Sequence, residues 1–226
     1  MPLLQSLELS LGSPSPDAFT SCDMPMLRTA VLIDDSALTV DLPWAQLTSL
    51  SLRFAGSESF DILQKTPRLV HCDLWLRGED YESGFIDIHL PCLESLVLFH
   101  SGRFLPVARP HPGLLDLFRV PALARLEISE YFLEPKPFET LRSFISTSAS
   151  NLRHITITCR TNESSKMRSE ASFRKAFPNI LEFSFEFEDD AAETDSEDYE
   201  SEEEFENDAA ETDSAENKSE DEVDGE

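Results

Sequence analysis

The chain has 226 residues, with 44 acidic and 18 basic side chains and a formal net charge of −26. Most of this charge lies at one end, because residues 188–226 contain 21 Asp or Glu and one Lys, a formal charge of −20. Residues 1–187 carry only −6, so we expect them to form a globular body long enough to bury a core. Such an acidic chain is a poor candidate for binding nucleic acid, which requires Lys and Arg to neutralise phosphates.

Membrane insertion and secretion are also disfavoured. No run of about 18 apolar residues occurs, so no membrane-spanning segment is predicted. Residues 1–12 contain neither a basic region nor a long apolar core, so a secretory signal is not expected. We therefore expect an intracellular protein, cytoplasmic or nuclear, with reduced cysteines.

A Pro-x-Leu-x-x-Leu-x-Leu pattern recurs eight times along residues 2–185. The third copy has two extra residues between the Pro and the first Leu, and the seventh has Ser in place of Pro. The first apolar positions are 20–30 residues apart, close to the leucine-rich-repeat period of about 20–29. The three apolar positions of the copies are, in chain order, Leu4, Leu7 and Leu9; Leu27, Ala30 and Leu32; Leu47, Leu50 and Leu52; Leu69, Cys72 and Leu74; Leu93, Leu96 and Leu98; Leu123, Leu126 and Ile128; Leu152, Ile155 and Ile157; Ile180, Phe183 and Phe185.

The spacing within each copy predicts a short strand, because the last two apolar residues alternate with period two. Pro suits the start of a strand, where its missing N–H is not needed. Stacked copies would place the strands side by side in a parallel sheet, since one copy cannot bury its own apolar face. The predicted fold class is α/β: a leucine-rich-repeat solenoid with the sheet on its concave face and helices and turns on its convex face.

The segments between the strands are longer and more polar, and some of them have helical spacing. In residues 137–149, Phe138, Leu141, Phe144 and Ile145 fall on one face after a Pro near the first turn. The same reasoning predicts helices or helical turns at residues 57–65, 114–119 and 169–177.

Residues 188–226 are predicted to be a disordered acidic tail, separate from a repeat domain of residues 1–187. The tail contains few strongly apolar side chains and repeats the sequence Asp-Ala-Ala-Glu-Thr-Asp-Ser at 190–196 and 208–214, so it cannot form a core. Thr194, Ser201 and Ser219 each have an acidic residue three positions on, which suits acidophilic kinases. A solubilising role is favoured for this tail over a regulatory one.

No catalytic, cofactor or metal motif is recognisable. The chain lacks glycine-rich phosphate loops and a Gly-x-Ser-x-Gly turn. Its four cysteines have no Cys-x-x-Cys spacing, and Cys72 occupies a repeat core position. Among the histidines, His71 and His154 are predicted to face outward from strands and His100 to lie near a loop. We therefore expect no enzyme activity, no cofactor and no metal.

The residues that alternate with the core should line the concave face. On neighbouring copies they include Arg53, Asp73, Trp75, Val97 and Phe99. Exposed aromatic side chains beside an Arg are typical of interface hot spots, so these five residues are the predicted centre of a patch for a protein partner. The alternatives are that loops cover the patch, or that a bulge at Trp75 turns this side chain inward.

Three phrases, at residues 42–52, 61–74 and 90–98, resemble the leucine-rich half of F-box proteins from mushroom-forming fungi. They include Leu-Pro-Trp-Ala-Gln-Leu-Thr and Leu-Gln-Lys-Thr-Pro-Arg-Leu-Val, and the resemblance covers roughly residues 1–187. It implies a substrate-recognition module of a ubiquitin ligase, whose F-box would dock to ligase subunits. We expect this chain to lack the F-box, since the first repeat starts at Pro2 without a capping element, and a truncated gene product is the favoured interpretation.

Two further interpretations remain open at this point. The acidic tail could make the chain a scaffold or chaperone-like binder of basic proteins, such as histones. The chain could also be a gene fragment without independent function.

Overall fold

The structure is a computed structural model, and it describes residues 4–10, 24–33, 40–56, 58–76, 87–100, 113–148, 151–159 and 170–187. The chain divides into a unit of residues 1–189 and a unit of residues 190–226. All the described residues belong to the first unit. The predicted disorder of residues 188–226 and the predicted phosphorylation sites Thr194, Ser201 and Ser219 lie outside the described residues.

The described residues form an α/β fold built on one large parallel sheet, as the repeat pattern predicts. Eight described strands hydrogen-bond side by side in chain order, and every neighbouring pair is parallel. A further two-stranded parallel sheet consists of β5 and β7. The strands are β1 (Ser6–Ser10), β2 (Thr29–Ile33), β3 (Ser49–Ala55), β4 (His71–Leu76), β5 (Ile88–His89), β6 (Ser95–His100), β7 (Phe118–Arg119), β8 (Arg125–Ser129), β9 (His154–Cys159) and β10 (Glu182–Phe187).

The strand register aligns the predicted core positions of all eight copies. The two strand positions of each copy form two rows that cross the sheet from β1 to β10. On the central strand β4, Cys72 and Leu74 are 2% and 0% exposed. On the first strand, Leu7 and Leu9 are only half-buried. The rows are Leu7, Ala30, Leu50, Cys72, Leu96, Leu126, Ile155 and Phe183, and Leu9, Leu32, Leu52, Leu74, Leu98, Ile128, Ile157 and Phe185.

In five of the described copies, the repeated proline lies in a tight turn that leads into the strand. In the turn at Pro67, the Leu69 N–H donates to the Thr66 carbonyl at 3.2 Å. Pro presets the backbone for the second position of such a turn. The turn then directs Leu69 into the core, where it is fully buried. Equivalent turns occur at Pro25, Pro91, Pro121 and Pro178, with N–O distances of 3.0–3.2 Å.

Within the described residues, three α-helices and several short 3-10 segments connect the strands. The helices are α1 (Glu58–Gln64), α2 (Pro137–Thr147) and α3 (Glu170–Ala176), close to the predicted bounds. The rings of Phe138 on α2 and Phe173 on α3 lie 4.5 Å apart. Phe173 also contacts Phe183 of β10, with the ring centroids 5.5 Å apart. The helices thus pack the late repeats through aromatic side chains.

The prediction for residues 114–119 was partly wrong. A 3-10 segment occupies Leu114–Leu117, but Phe118 and Arg119 form strand β7 and pair with β5. Phe118 is fully buried, and a short apolar run of this kind is compatible with either a helical turn or a strand. In the third copy, a 3-10 segment occupies Trp44–Gln46, between Pro43 and Leu47, where its two extra residues lie.

We name the two faces of the large sheet by their side chains. The covered face carries the two core rows. The open face carries the side chains that alternate with them, most of which are exposed or half-buried on β2, β3, β4 and β6.

Candidate partner-binding site

The open face carries all five residues that the sequence predicts as a patch. In the strand register, Arg53, Trp75 and Phe99 are paired neighbours on β3, β4 and β6. Asp73 and Val97 are paired two positions earlier on β4 and β6. We call these five residues the open-face patch. The sequence spacing predicts this grouping because alternate residues of a regular strand lie on the same face of the sheet.

Arg53, Trp75 and Phe99 form a stack across the three strands. The Trp75 and Phe99 ring centroids lie 4.9 Å apart, with an angle of 28° between the ring planes. The Arg53 guanidinium carbon lies 5.6 Å from the Trp75 ring centroid. Such a cation–π contact is worth about 0.5–1 kcal/mol at an exposed site. The stack holds two large aromatic side chains in fixed positions on the face.

The side chain of Trp75 remains on the open face, where it is half-buried. The sheet register does shift, but the irregularity lies between Arg53 and Ala55 on β3. The alternative that a bulge turns Trp75 inward is therefore wrong. Residues 77–86 and 101–112, which follow β4 and β6, lie outside the described residues.

Both carboxylate oxygens of Asp73 accept hydrogen bonds from neighbouring side chains. The Trp75 indole N–H donates to Oδ1 at 2.9 Å, and the Ser51 hydroxyl donates to Oδ2 at 3.1 Å. Burial raises the pKa of Asp73 above its ordinary value, while the two hydrogen bonds and Arg53 partly offset this effect. The neighbouring side chains thus orient the Asp73 carboxylate, which is partly shielded from water.

Glu127 on β8 extends the patch and was not selected from the sequence. It pairs with Val97, so Asp73, Val97 and Glu127 occupy equivalent positions on three adjacent strands. Burial raises the pKa of Glu127, and the nearby Glu186 and Asp73 carboxylates raise it further. The sequence signal was present, because Glu127 lies in the same alternating column as Asp73. Its half-buried environment is what the spacing could not reveal.

The open face becomes buried beyond Phe99, where the spacing predicted further surface side chains. Ser129 and Thr158 are 2% and 4% exposed. A 3-10 segment at Glu130–Leu133 directly follows β8 and packs against β8 and β9. His100, predicted near a loop, is the last residue of β6, and its ring stacks on Tyr131 at 3.8 Å.

The structure also places the histidine and cysteine residues that the sequence analysis considered. His71 is exposed at the start of β4. His154 Nδ1 lies 2.9 Å from Glu182 Oε2, between β9 and β10.

Cys72 is buried in a core row, and burial raises its pKa far above the ordinary range, so its thiol is a poor nucleophile. Within the ranges that the structure describes, no group of three or more His, Cys, Asp or Glu is arranged to hold a metal ion. No helix among these ranges is long and apolar enough to cross a membrane.

Comparisons with protein-family models, with curated proteins and with solved structures each found no match. The geometry of the open face is therefore the basis for assigning a role. It combines stacked aromatic rings, a hydrogen-bonded carboxylate and a second, half-buried carboxylate. This combination suits binding of a polar or charged surface.

Proposed function

We propose that residues 1–187 form a leucine-rich-repeat solenoid that binds a protein partner through the open-face patch. Eight parallel strands in chain order, one per copy of the repeat, support the solenoid. The observation that carries the binding proposal is the Arg53–Trp75–Phe99 stack on the open face. Rigid aromatic side chains beside an Arg supply most of the binding energy in many interfaces.

The resemblance to F-box proteins supports a more specific form of this proposal. In that form, the chain is the substrate-recognition half of an F-box-type ubiquitin ligase subunit and performs no chemistry itself. Any transfer of ubiquitin would belong to partner subunits.

The proposal is tested by purifying the chain with its bound proteins from cells of its source and identifying them by mass spectrometry. Trp75→Ala/Phe99→Ala removes the stack. Val31→Ala/Ile33→Ala is the control, because these two half-buried apolar residues lie on the open face of β2, with Ile33 in the row of Trp75 and Phe99. We expect only Trp75→Ala/Phe99→Ala to lose a specific partner. The dissociation constant of that partner, measured with the purified proteins, should rise at least tenfold, which corresponds to about 1.4 kcal/mol.

The identity of the captured proteins separates the possible roles. Cullin-type ligase subunits among them would support the F-box form. Specific proteins without ligase subunits would indicate a free-standing binding module. If neither form of the chain captures a specific protein, the binding proposal fails and the gene-fragment interpretation becomes the leading one.

The acidic tail supports a second candidate function, binding of basic proteins. Its formal charge of −20 in 39 residues would attract a basic surface strongly at low salt. Deleting residues 188–226 separates the two candidates. Partner binding through the open-face patch should survive the deletion, whereas binding through the tail should be lost and should weaken steeply with added salt.

A further inference from the structure

We propose that the open-face patch anchors its partner through a basic side chain, an arginine or lysine, held between Asp73 and Glu127 above Val97. This inference rests on the proposed binding function and specifies the chemistry of the partner. We call the three residues the carboxylate cradle.

The spacing of the cradle fits one cationic group. Asp73, Val97 and Glu127 are directly paired across β4, β6 and β8. Neighbouring strands lie about 4.8 Å apart, so the two acidic residues are about 10 Å apart at their backbones. Val97 between them is short, apolar and half-buried. A guanidinium or ammonium group can therefore rest over Val97 with one carboxylate on each side.

The cradle also has unused capacity for hydrogen bonds. Each oxygen of Asp73 accepts one hydrogen bond, from Trp75 or Ser51, which leaves a second acceptor site on each oxygen. The Glu127 carboxylate accepts no hydrogen bond and forms no ion pair within the described parts of the chain. Because burial and neighbouring carboxylates raise the pKa of Glu127, an added cation would relieve an unfavourable charge.

The surrounding charges favour a cation over other groups. Glu186 lies on the far side of Glu127 and adds negative potential. Arg53 lies over the Trp75 ring and also lowers the pKa of Asp73, so it offsets part of the negative charge at that end of the cradle. Within the described residues, no such neighbour lowers the pKa of Glu127 at the other end. The neighbouring row lies at the strand starts and contains the charged or titratable residues His71, Arg125, His154 and Glu182. Of these, His154 is paired with Glu182. The rings of Trp75 and Phe99 lie two positions further along the strands, where they can contact the aliphatic stem of a bound Lys or Arg.

The occupant we propose is a basic segment of another protein, since the cradle complements it in charge. Residues 188–226 of the chain contain 21 Asp or Glu and only one Lys, so their negative charge would be repelled by the carboxylate cradle. A basic segment of a partner protein complements the cradle in charge and the aromatic stack in apolar contact area.

A charged peptide with a neutral twin provides the test on the full chain. The probe is a capped Gly-Arg-Gly-Arg-Gly-Arg-Gly peptide, and its twin has citrulline in place of each Arg. The titration is followed by NMR at an ionic strength of about 0.15 M, which weakens long-range attraction to exposed charges. We expect the arginine peptide to shift the Val97 methyl and Trp75 indole signals, and the citrulline twin to shift neither.

Two variants then separate the cradle from bulk charge. Glu127→Gln removes one cradle carboxylate. Glu8→Gln is the matched control, because Glu8 occupies the equivalent position on β1, at the edge of the same face. Both variants remove one negative charge and leave residues 188–226 unchanged, so an effect of net charge alone would be equal in the two. We expect Glu127→Gln to raise the dissociation constant at least about fivefold, and Glu8→Gln to leave it nearly unchanged.

The inference is overturned if both variants weaken binding equally, if the citrulline twin binds as well, or if only signals from residues 188–226 shift. These outcomes leave the broader binding proposal intact when the Trp75→Ala/Phe99→Ala variant still loses its partner. If that variant keeps its partner, the proposed function itself fails, whatever the peptide does.

Discussion

The two faces of the large sheet differ although they are built from alternate residues of the same strands. On the covered face, one requirement acts at every position, which is the exclusion of water, so Leu or a similar side chain recurs in each copy. On the open face, residues such as Ser51, Asp73, Val97 and Glu127 follow one another across the strands without a common type. No packing requirement explains this variety. The covered face therefore accounts for the fold, and the open face distinguishes this protein from any other stack of the same repeats.

The largest expected effect tests how strongly the covered face depends on position. Leu74→Ala on the central strand should lower the free energy of unfolding by about 3 kcal/mol, because the side chain is fully buried and leaves a cavity. Leu9→Ala occupies the same row on the edge strand, where the side chain is half-buried, and should cost about 1 kcal/mol. Urea unfolding of both variants measures the difference. Equal losses would contradict a core that is drier at the centre than at the edge.

The sequence predicted the covered face well because its signal is repeated. A missing Leu in one copy, as at Ala30 or Cys72, does not hide the row when seven other copies have the same spacing. Strand order and register then follow, since a slip by one residue would expose every apolar side chain of the strand. The short elements outside the repeat were less predictable. Phe118 is buried in β7 rather than in a helical turn because its partner strand β5 lies 30 residues away in the chain.

For the open face, the sequence predicted which residues are neighbours but not the contacts between their side chains. Period-two alternation placed Trp75 beside Phe99, and the structure has these rings stacked. The hydrogen bond from Trp75 to Asp73 depends on side-chain rotamers, which the spacing does not determine. The environment of Glu127 depends on burial by neighbouring strands and on Glu186, a residue 59 positions later. Interactions of that kind arise only when the whole sheet is assembled.

The second prediction tests whether the open face is organised by polar contacts rather than by packing alone. Trp75→Phe keeps a ring beside Phe99 but removes the indole N–H that donates to Asp73. We expect the pKa of Asp73 to rise, because this hydrogen bond lowers it, and the free energy of unfolding to fall by about 1 kcal/mol. NMR titration of the Asp73 carboxyl carbon measures the pKa, and Phe99→Leu is the control that keeps the donor. An unchanged Asp73 pKa in Trp75→Phe would indicate that the hydrogen bond does not form in solution.

The third prediction concerns how the turns support the covered face. Pro67→Ala should lower the free energy of unfolding by about 0.5–1 kcal/mol, because Ala leaves more conformational freedom in the unfolded chain. Arg68→Ala, at the next and exposed position of the same turn, should stay within about 0.5 kcal/mol of the parent. Chemical denaturation of the three proteins provides the comparison. A larger loss in Arg68→Ala would mean that the turn is held by side-chain contacts rather than by the fixed backbone of Pro.

The smallest expected effect separates the two faces most sharply, because here the removal of a native group should stabilise the fold. Burial and the Glu186 and Asp73 carboxylates raise the pKa of Glu127, so the folded protein binds this proton more readily than the unfolded chain. The resulting stability is present at low pH and is lost as the pH rises through the raised pKa. At pH 7 the ionised Glu127 therefore weakens the fold slightly.

Glu127→Gln should accordingly raise the free energy of unfolding at pH 7 by a few tenths of a kcal/mol, since solvent screens a half-exposed charge. The gain should disappear below the ordinary Glu pKa of 4.5, where both states are protonated. Urea midpoints at pH 7 and near pH 4, with Glu8→Gln as the control for net charge, measure it. A loss of stability at pH 7 in Glu127→Gln alone would mean that Glu127 already meets a cation within the chain. A gain would mean that the open face retains a carboxylate at some cost to the fold, as expected where a side chain serves binding rather than packing.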